Sequence, residues 1–419
     1  MPIPLVANPD VVQTLSELGV ILLMFSLGLE FSLRKLMAVG PTAGLTALLQ
    51  SSLMVWLGFT IGRLFGWTPL ESLFAGAVIA ISSTTIIAKA FDEQGITGTL
   101  RQFVVGVLIV EDLIAVLLMA VLTAVASGSG LAAGPLAATI ARLAAFLVGL
   151  IGIGLLLVPR VIRAIVRLNR RETTRVASIG ICFANALLAQ AFGYSVALGA
   201  FLAGSLVAES GAERQIERLV EPVRDVFGAV FFVSVGMLID PALVAQHWGA
   251  VVALTAAVII GKVVSVSLGA FLTGSGMRTS VQAGLSLAQI GEFSFIIAAL
   301  GLALHATGGF LYPVAVAVSA ITTLLTPWMI RASEPIAAWV DRKLPRPLQT
   351  FAVLYGSWLE ELRARRPAAT AVAGIRRLLR LLLLDAAIVA VLIVATSASI
   401  GRIAAFARDQ LGLSQVMAR

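Results

Sequence analysis

A chain of 419 residues, 59% hydrophobic and only 12% charged, with a mean hydropathy of +1.00, carries more apolar surface than a soluble core hides and reads as an integral membrane protein. Its net charge of +8 would suit a nucleic acid, but the basic residues fall in alternate loops, so no nucleic acid is expected and the lipid bilayer is the partner. The single Cys182 excludes a disulfide framework, and with only two histidines there is no metal constellation of the usual kind. No nucleophile with a base and no nucleotide-binding glycine loop points to an enzyme or a cofactor.

The start, MPIPLVANPD, lacks the features of a removed signal peptide. Apolar stretches long enough to cross ~30 Å of hydrocarbon as helices then follow at 11–30, 41–62, 70–90, 101–126, 135–159, 174–191, 193–208, 224–239, 248–272, 279–304, 309–330 and 378–399. The expected fold class is therefore an all-α integral membrane protein with about 12 transmembrane helices. Assigned alternately, the loops on one side receive Arg34 and Lys35, Lys89 and Arg101, the arginines from Arg160 to Arg175, then Arg214, Arg218 and Arg224, Arg278, and those from Arg331 to Arg380. The other side holds Arg63, Arg142 and a few tail arginines, so the basic side is cytoplasmic and the protein is expected as a multi-pass protein of the inner (plasma) membrane. Three regions are expected: 1–331 as the dense transmembrane domain, 332–377 as a cytoplasmic or interfacial arginine-rich linker, and 378–419 as an extra transmembrane helix with a short tail. The segment AESGAERQIERLVEPVRD reads as an amphipathic cytoplasmic connector.

Within these spans the polar residues concentrate. In the third, AGAVIAISSTTIIAKAF places Ser82, Ser83, Thr84 and Thr85 at mid-membrane depth, where hydroxyls can satisfy a locally unwound backbone. In the fourth, GVLIVEDLIAVLLMAV sets Glu111 and Asp112 side by side. An acidic residue at the centre of a membrane helix costs ~2.5–3.5 kcal/mol on insertion scales, and so marks a functional site by default. Two adjacent carboxylates rarely both ionise, so the pair is expected to hold an exchangeable proton that it can trade for a cation. The ninth span carries Lys262, the remaining deep charge, which needs a partner: Asp112, Glu111, or the negative dipole ends of broken helices. In the tenth, VQAGLSLAQIGEFSFIIAA repeats the polar interruption with Gly284, Ser286, Gln289, Gly291 and Glu292. Two interrupted spans in corresponding halves point to inverted repeats whose crossing helices meet at the midplane, helices two to four matching nine to eleven. Glu17 and the pair Phe231 and Phe232 read as packing residues, and His247 and His305 as interfacial.

The succession LSELGVILLMFSLGLEFSLRKL, AISSTTIIAKAFDEQG, VVGVLIVEDLIAV, ALGAFLAGSLVAES, PVRDVFGAVFFVSVGMLIDP and GLSLAQIGEFSFI resembles the monovalent cation:proton antiporter-2 family, which includes the Kef-type potassium efflux systems. The resemblance covers residues 11 to 331. It implies an NhaA-like antiporter fold, a homodimer, and exchange of K+ or Na+ for H+ by movement of a core domain, with a separate regulatory subunit as a further partner. It implies that Asp112 is the ion- and proton-binding carboxylate, while Glu111 tunes coupling or joins directly. Relatives begin with a further helix pair, so the first two helices of the domain are expected to be missing here. Two alternatives stay open at this level: a gated potassium efflux pathway without proton coupling, and an inactive truncated fragment.

Overall fold

The computed structural model of the chain describes residues 9–30, 41–127, 133–237, 241–343 and 393, and every regular element among them is helical. In chain order these are α1 (Pro9–Glu30), α2 (Pro41–Leu64), α3 (Pro69–Ala80), α4 (Thr84–Glu93), α5 (Gly98–Ser127), α6 (Ala133–Arg167), α7 (Arg171–Ala191), α8 (Val196–Val207), α9 (Glu213–Met237), α10 (Pro241–Gln246), α11 (Trp248–Ala256), α12 (Lys262–Leu272), α13 (Met277–Ser286), α14 (Glu292–Ala303) and α15 (Leu311–Lys343). Short π-helical turns, Ala208–Ala212 and Ala257–Gly261, lead into α9 and α12.

Among the described residues, 8 helical segments are long and apolar enough to cross a membrane, beside the shorter apolar helices Glu17–Leu29 and Glu292–Ala303. The intervals read from hydropathy up to 330 each fall on a helix or on a pair of helices interrupted near its middle. The interval 378–399 and all of the linker beyond Lys343 lie outside the described residues. Two details differ from expectation. The connector AESGAERQIERLVEPVRD is helical from Glu213 and runs unbroken through Pro222 into the span it precedes. Likewise α15 continues to Lys343, past the expected boundary at 331. Of the expected packing pair, Phe231 is fully buried but Phe232 is 49% exposed, because successive helical residues point about 100° apart.

The chain forms two compact units. Residues 1–36 and 116–240 make the first, in which α1 packs along α8 and α9. The contact is glycine to backbone: a Cβ on Gly28 would lie 2.2 Å from the Phe201 carbonyl oxygen, and one on Gly204 2.1 Å from that of Phe25. In hydrocarbon no hydrophobic effect drives helices together, so close approach through small residues supplies the attraction.

Residues 37–115 and 241–419 make the second unit, and there the same device occurs twice. A Cβ on Gly76 of α3 would sit 2.3 Å from the Val55 carbonyl oxygen of α2, and one on Gly284 of α13 2.6 Å from that of Val263 of α12. Val55 and Gly76 relate to Val263 and Gly284 by one constant offset. The unit is thus an internal repeat, inverted because corresponding helices lie an odd number of spans apart along the chain. Replacing Gly76 by Val forces α2 and α3 apart, and overpacking of this kind costs ~1–3 kcal/mol or more. Gel-filtration profiles and melting temperatures should show loss of folded Gly76→Val, whereas Gly180→Ala, with open space around it, should melt at or slightly above the parent temperature.

Candidate functional site

Both repeats break at the same place. The first leaves residues 81–83 non-helical between α3 and α4, with Ile81 and Ser83 extended, and the second leaves 287–291 non-helical between α13 and α14. Unwound backbone at membrane depth is tolerated only if its polar groups are paired, since each unpaired group in hydrocarbon costs several kcal/mol. Here the two breaks pair with each other: the Gly291 N–H donates to the Ile81 carbonyl at 3.2 Å. Gly291 is required for that approach, because a Cβ there would stand 2.7 Å from Cα of Ser83. Side chains complete the lattice. Ser82 Oγ donates to the Leu287 carbonyl at 3.2 Å, Gln289 Nε2 to the Ser83 carbonyl at 3.4 Å, and Ser83 Oγ caps α4 by accepting from the Ile86 N–H at 3.3 Å.

Lys262, at the first turn of α12, is fully buried and reaches into this crossing. Its Nζ donates to Ser82 Oγ and to the Gln289 carbonyl, both at 2.8 Å, so one ammonium ties the two breaks together. Of the two carboxylates left open by the sequence, Glu111 is the one bonded to the same Ser82 as Lys262. They meet through Ser82, which donates its backbone N–H to Glu111 Oε2 at 2.8 Å while its hydroxyl accepts from the lysine. Glu111 is fully buried, and among the described residues its Oε1 has no hydrogen-bond partner; the same is true of Gln289 Oε1.

Asp112, the next residue on α5, is partly exposed and accepts from Thr84 Oγ1 at 3.2 Å. Adjacent positions on a helix differ by about 100°, which turns Glu111 into the protein and Asp112 toward its edge. A third carboxylate closes the other flank. Glu292, partly exposed in the first turn of α14, accepts from Ser83 Oγ at 2.9 Å and from Thr85 Oγ1 at 3.1 Å. The N-termini of α4 and α14 both open at this crossing, and their partial positive charge favours the acidic groups beside them.

The ten site residues expected from sequence, Ser82, Ser83, Thr84, Thr85, Glu111, Asp112, Lys262, Gln289, Gly291 and Glu292, all lie at this crossing in the second unit: Ser82, Ser83, Thr85, Glu111, Lys262, Gln289 and Glu292 share one set of bonds, Gly291 bonds the Ile81 carbonyl, and Thr84 and Asp112 form a pair beside them. Their division of labour differs from the expectation that the hydroxyls serve unwound backbone. Ser82 does so and Ser83 serves both backbone and Glu292, whereas Thr84 and Thr85 serve carboxylates. Three residues that sequence reading missed also hold the breaks: Gln50 Nε2 donates to the Ala80 carbonyl at 2.8 Å, Ser294 Oγ to that of Val78 at 2.6 Å, and Ser319 Oγ to that of Ile290 at 3.3 Å. Gln50 is the only amide side chain in its span, a signal that the sequence did carry.

Two repeats whose interrupted helices cross around charged groups define the inverted-repeat antiporter fold. The chain belongs to the family of sodium/hydrogen exchanger transmembrane proteins, whose pattern it matches over residues 2–332. It is similar to YbaL of Escherichia coli (strain K12), which carries a cation/proton antiporter name, with 37% identity over 313 residues, 72% of this chain and 55% of that one. Similarity to K(+) efflux antiporter 5 of Arabidopsis thaliana is 33% over 330 residues, 76% of this chain and 57% of the plant protein. The chain spans somewhat over half the length of these relatives. The fold is shared with the sodium proton antiporter MjNhaP1 of Methanocaldococcus jannaschii, with a TM-score of 0.60 at 14% identity over 80% of this chain and 86% of that one.

Removing one member of a buried charged network leaves the rest unpaired and costs ~3–5 kcal/mol. Lys262→Met should therefore melt well below the parent protein in the same detergent, and Glu111→Gln introduced beside it should restore part of the loss. An unchanged melting temperature for Lys262→Met would contradict the pinning role.

Proposed function

We propose that the protein is a secondary transporter that exchanges a monovalent cation, K+ or Na+, for protons through one site at Asp112. The observation that carries this reading is the partly exposed Asp112 carboxylate, bonded to Thr84 at the crossing of two broken helices. A proton and a dehydrated cation compete for such a carboxylate. The cation takes oxygens, here those of Asp112 with the hydroxyl of Thr84, whereas the proton neutralises the charge and lets the site cross hydrocarbon empty of metal. Alternating access of the site then couples the two fluxes, and the gradients set the direction.

In this reading Lys262 and Glu111 are the fixed part of the site. Lys262 offsets the negative helix ends at the crossing, and Glu111 balances the lysine through Ser82. If Lys262 keeps its proton throughout the cycle, exchange is one proton for one cation. The name of the plant relative gives potassium and that of the family sodium, which supports a monovalent cation without choosing between them. The protein would work in the inner membrane as a homodimer, with residues 1–331 as the exchanger domain, a regulatory subunit as its further partner, and the last helix as an added anchor.

Proton flux in proteoliposomes, read by a pH-sensitive dye with K+ and Na+ added separately, tests the proposal. Cation-evoked proton movement is expected in the parent and should fall at least 100-fold in Asp112→Asn. Cation flux without proton movement would instead favour an uncoupled efflux pathway. Competition also has a sign: raising the pH by one unit across the titration of the site should lower the apparent KM for the cation, by up to ~10-fold, since fewer sites hold a proton.

A further inference from the structure

The first unit holds a second charged feature, remote in kind from the carboxylate site. Two helices there each begin with arginines at i and i+4, on one face: Arg171 and Arg175 on α7, Arg214 and Arg218 on α9. All four, exposed to solvent, line one open hollow of about 550 Å³, together with Asn169 and Gln215. None of the four is in an ion pair among the described residues, although Arg101, Arg224 and Arg278 are. The acidic residues of the same two helix starts, Glu172, Glu213 and Glu217, do not line the cavity. Arg170, the residue that caps α7, makes no side-chain bond to its first turn, so the positive helix end adds to the same field.

Like charges at i, i+4 repel, and two such pairs around one hollow concentrate positive potential where, among the described residues, no carboxylate lines it. The volume far exceeds the ~30 Å³ share of one water, so it has room for a polyatomic group. Guanidinium forks match phosphate oxygens in pairs, and the amides of Asn169 and Gln215 add neutral donors. We propose that this cavity is a binding site for a phosphate-bearing anion. By the distribution of basic residues it opens on the cytoplasmic side, where α7 begins its span. Two sources supply that chemistry there: the headgroup of an anionic lipid, and a soluble phosphorylated anion.

The test uses the full chain, purified and stripped of lipid, with two arms. In one, melting is followed in nanodiscs of phosphatidylcholine with and without phosphatidylglycerol; in the other, in detergent with and without inorganic pyrophosphate. The parent should gain several degrees in one arm, which identifies the source. Arg175→Gln with Arg214→Gln should lose that gain, while Arg160→Gln with Arg163→Gln, which removes the same charge outside the cavity, should keep it. No gain for the parent in either arm overturns the proposal, as does an equal gain in the cavity variant, or an equal loss in both variants. Should the cavity variant fail to fold, Arg175→Lys with Arg214→Lys keeps the charge but not the forks. Native mass spectrometry should then show at least fivefold lower occupancy by phosphatidylglycerol or pyrophosphate, and equal occupancy would contradict a built phosphate site.

Discussion

One ammonium group holds the core of this protein together. Lys262 donates to Ser82 on one broken helix and to Gln289 on the other, beside the backbone bond from Gly291 to Ile81. Two helices interrupted in mid-membrane would otherwise expose carbonyls to a medium that cannot solvate them. The lysine turns that liability into a junction, and it can be buried there because Glu111 answers its charge through Ser82. Everything that makes the site usable follows from this arrangement. With the backbone satisfied by Ser82, Ser83, Gln289 and Lys262, the hydroxyls of Thr84 and Thr85 are left to face carboxylates.

The repeat makes the junction possible, and its departures from symmetry make it asymmetric. Ser83 of the first half corresponds by position to Gly291 of the second, and only the glycine lets the two strands approach. Glu111 corresponds to Ser319, and both act on the equivalent residues Ser82 and Ile290, the carboxylate by accepting an N–H and the serine by donating to a carbonyl. One half therefore supplies the acids of α5 and the other supplies the lysine. The asymmetry leaves charge unevenly divided between the halves, at the crossing where the proposed competition of proton and cation takes place.

Much of this was legible in the sequence, for a physical reason. Hydrocarbon tolerates so few polar groups that each one left in a span is a message, and the serine and threonine run, the acidic pair, Lys262 and the QIGE segment all meet at one crossing. What was hidden depended on rotation and on neighbours. Which of Glu111 and Asp112 turns inward is a matter of helical phase about α5, which adjacency alone does not give. The partner of Lys262 was left open because the π-helical turn Ala257–Gly261 adds a residue just before it and resets the face it occupies. Gln50 and Ser319 went unnoticed because a lone amide or hydroxyl in an apolar helix bonds its own backbone as readily as a distant break.

The central claim is that a cation and a proton displace each other at Asp112. Adding K+ or Na+ to the purified protein in weakly buffered detergent, and following pH, measures that exchange without any need for transport. Protons released in proportion to bound cation, and absent in Asp112→Asn, are the expected result. Cation binding that releases no proton from the parent, or the same release from the variant, would contradict competition at this carboxylate.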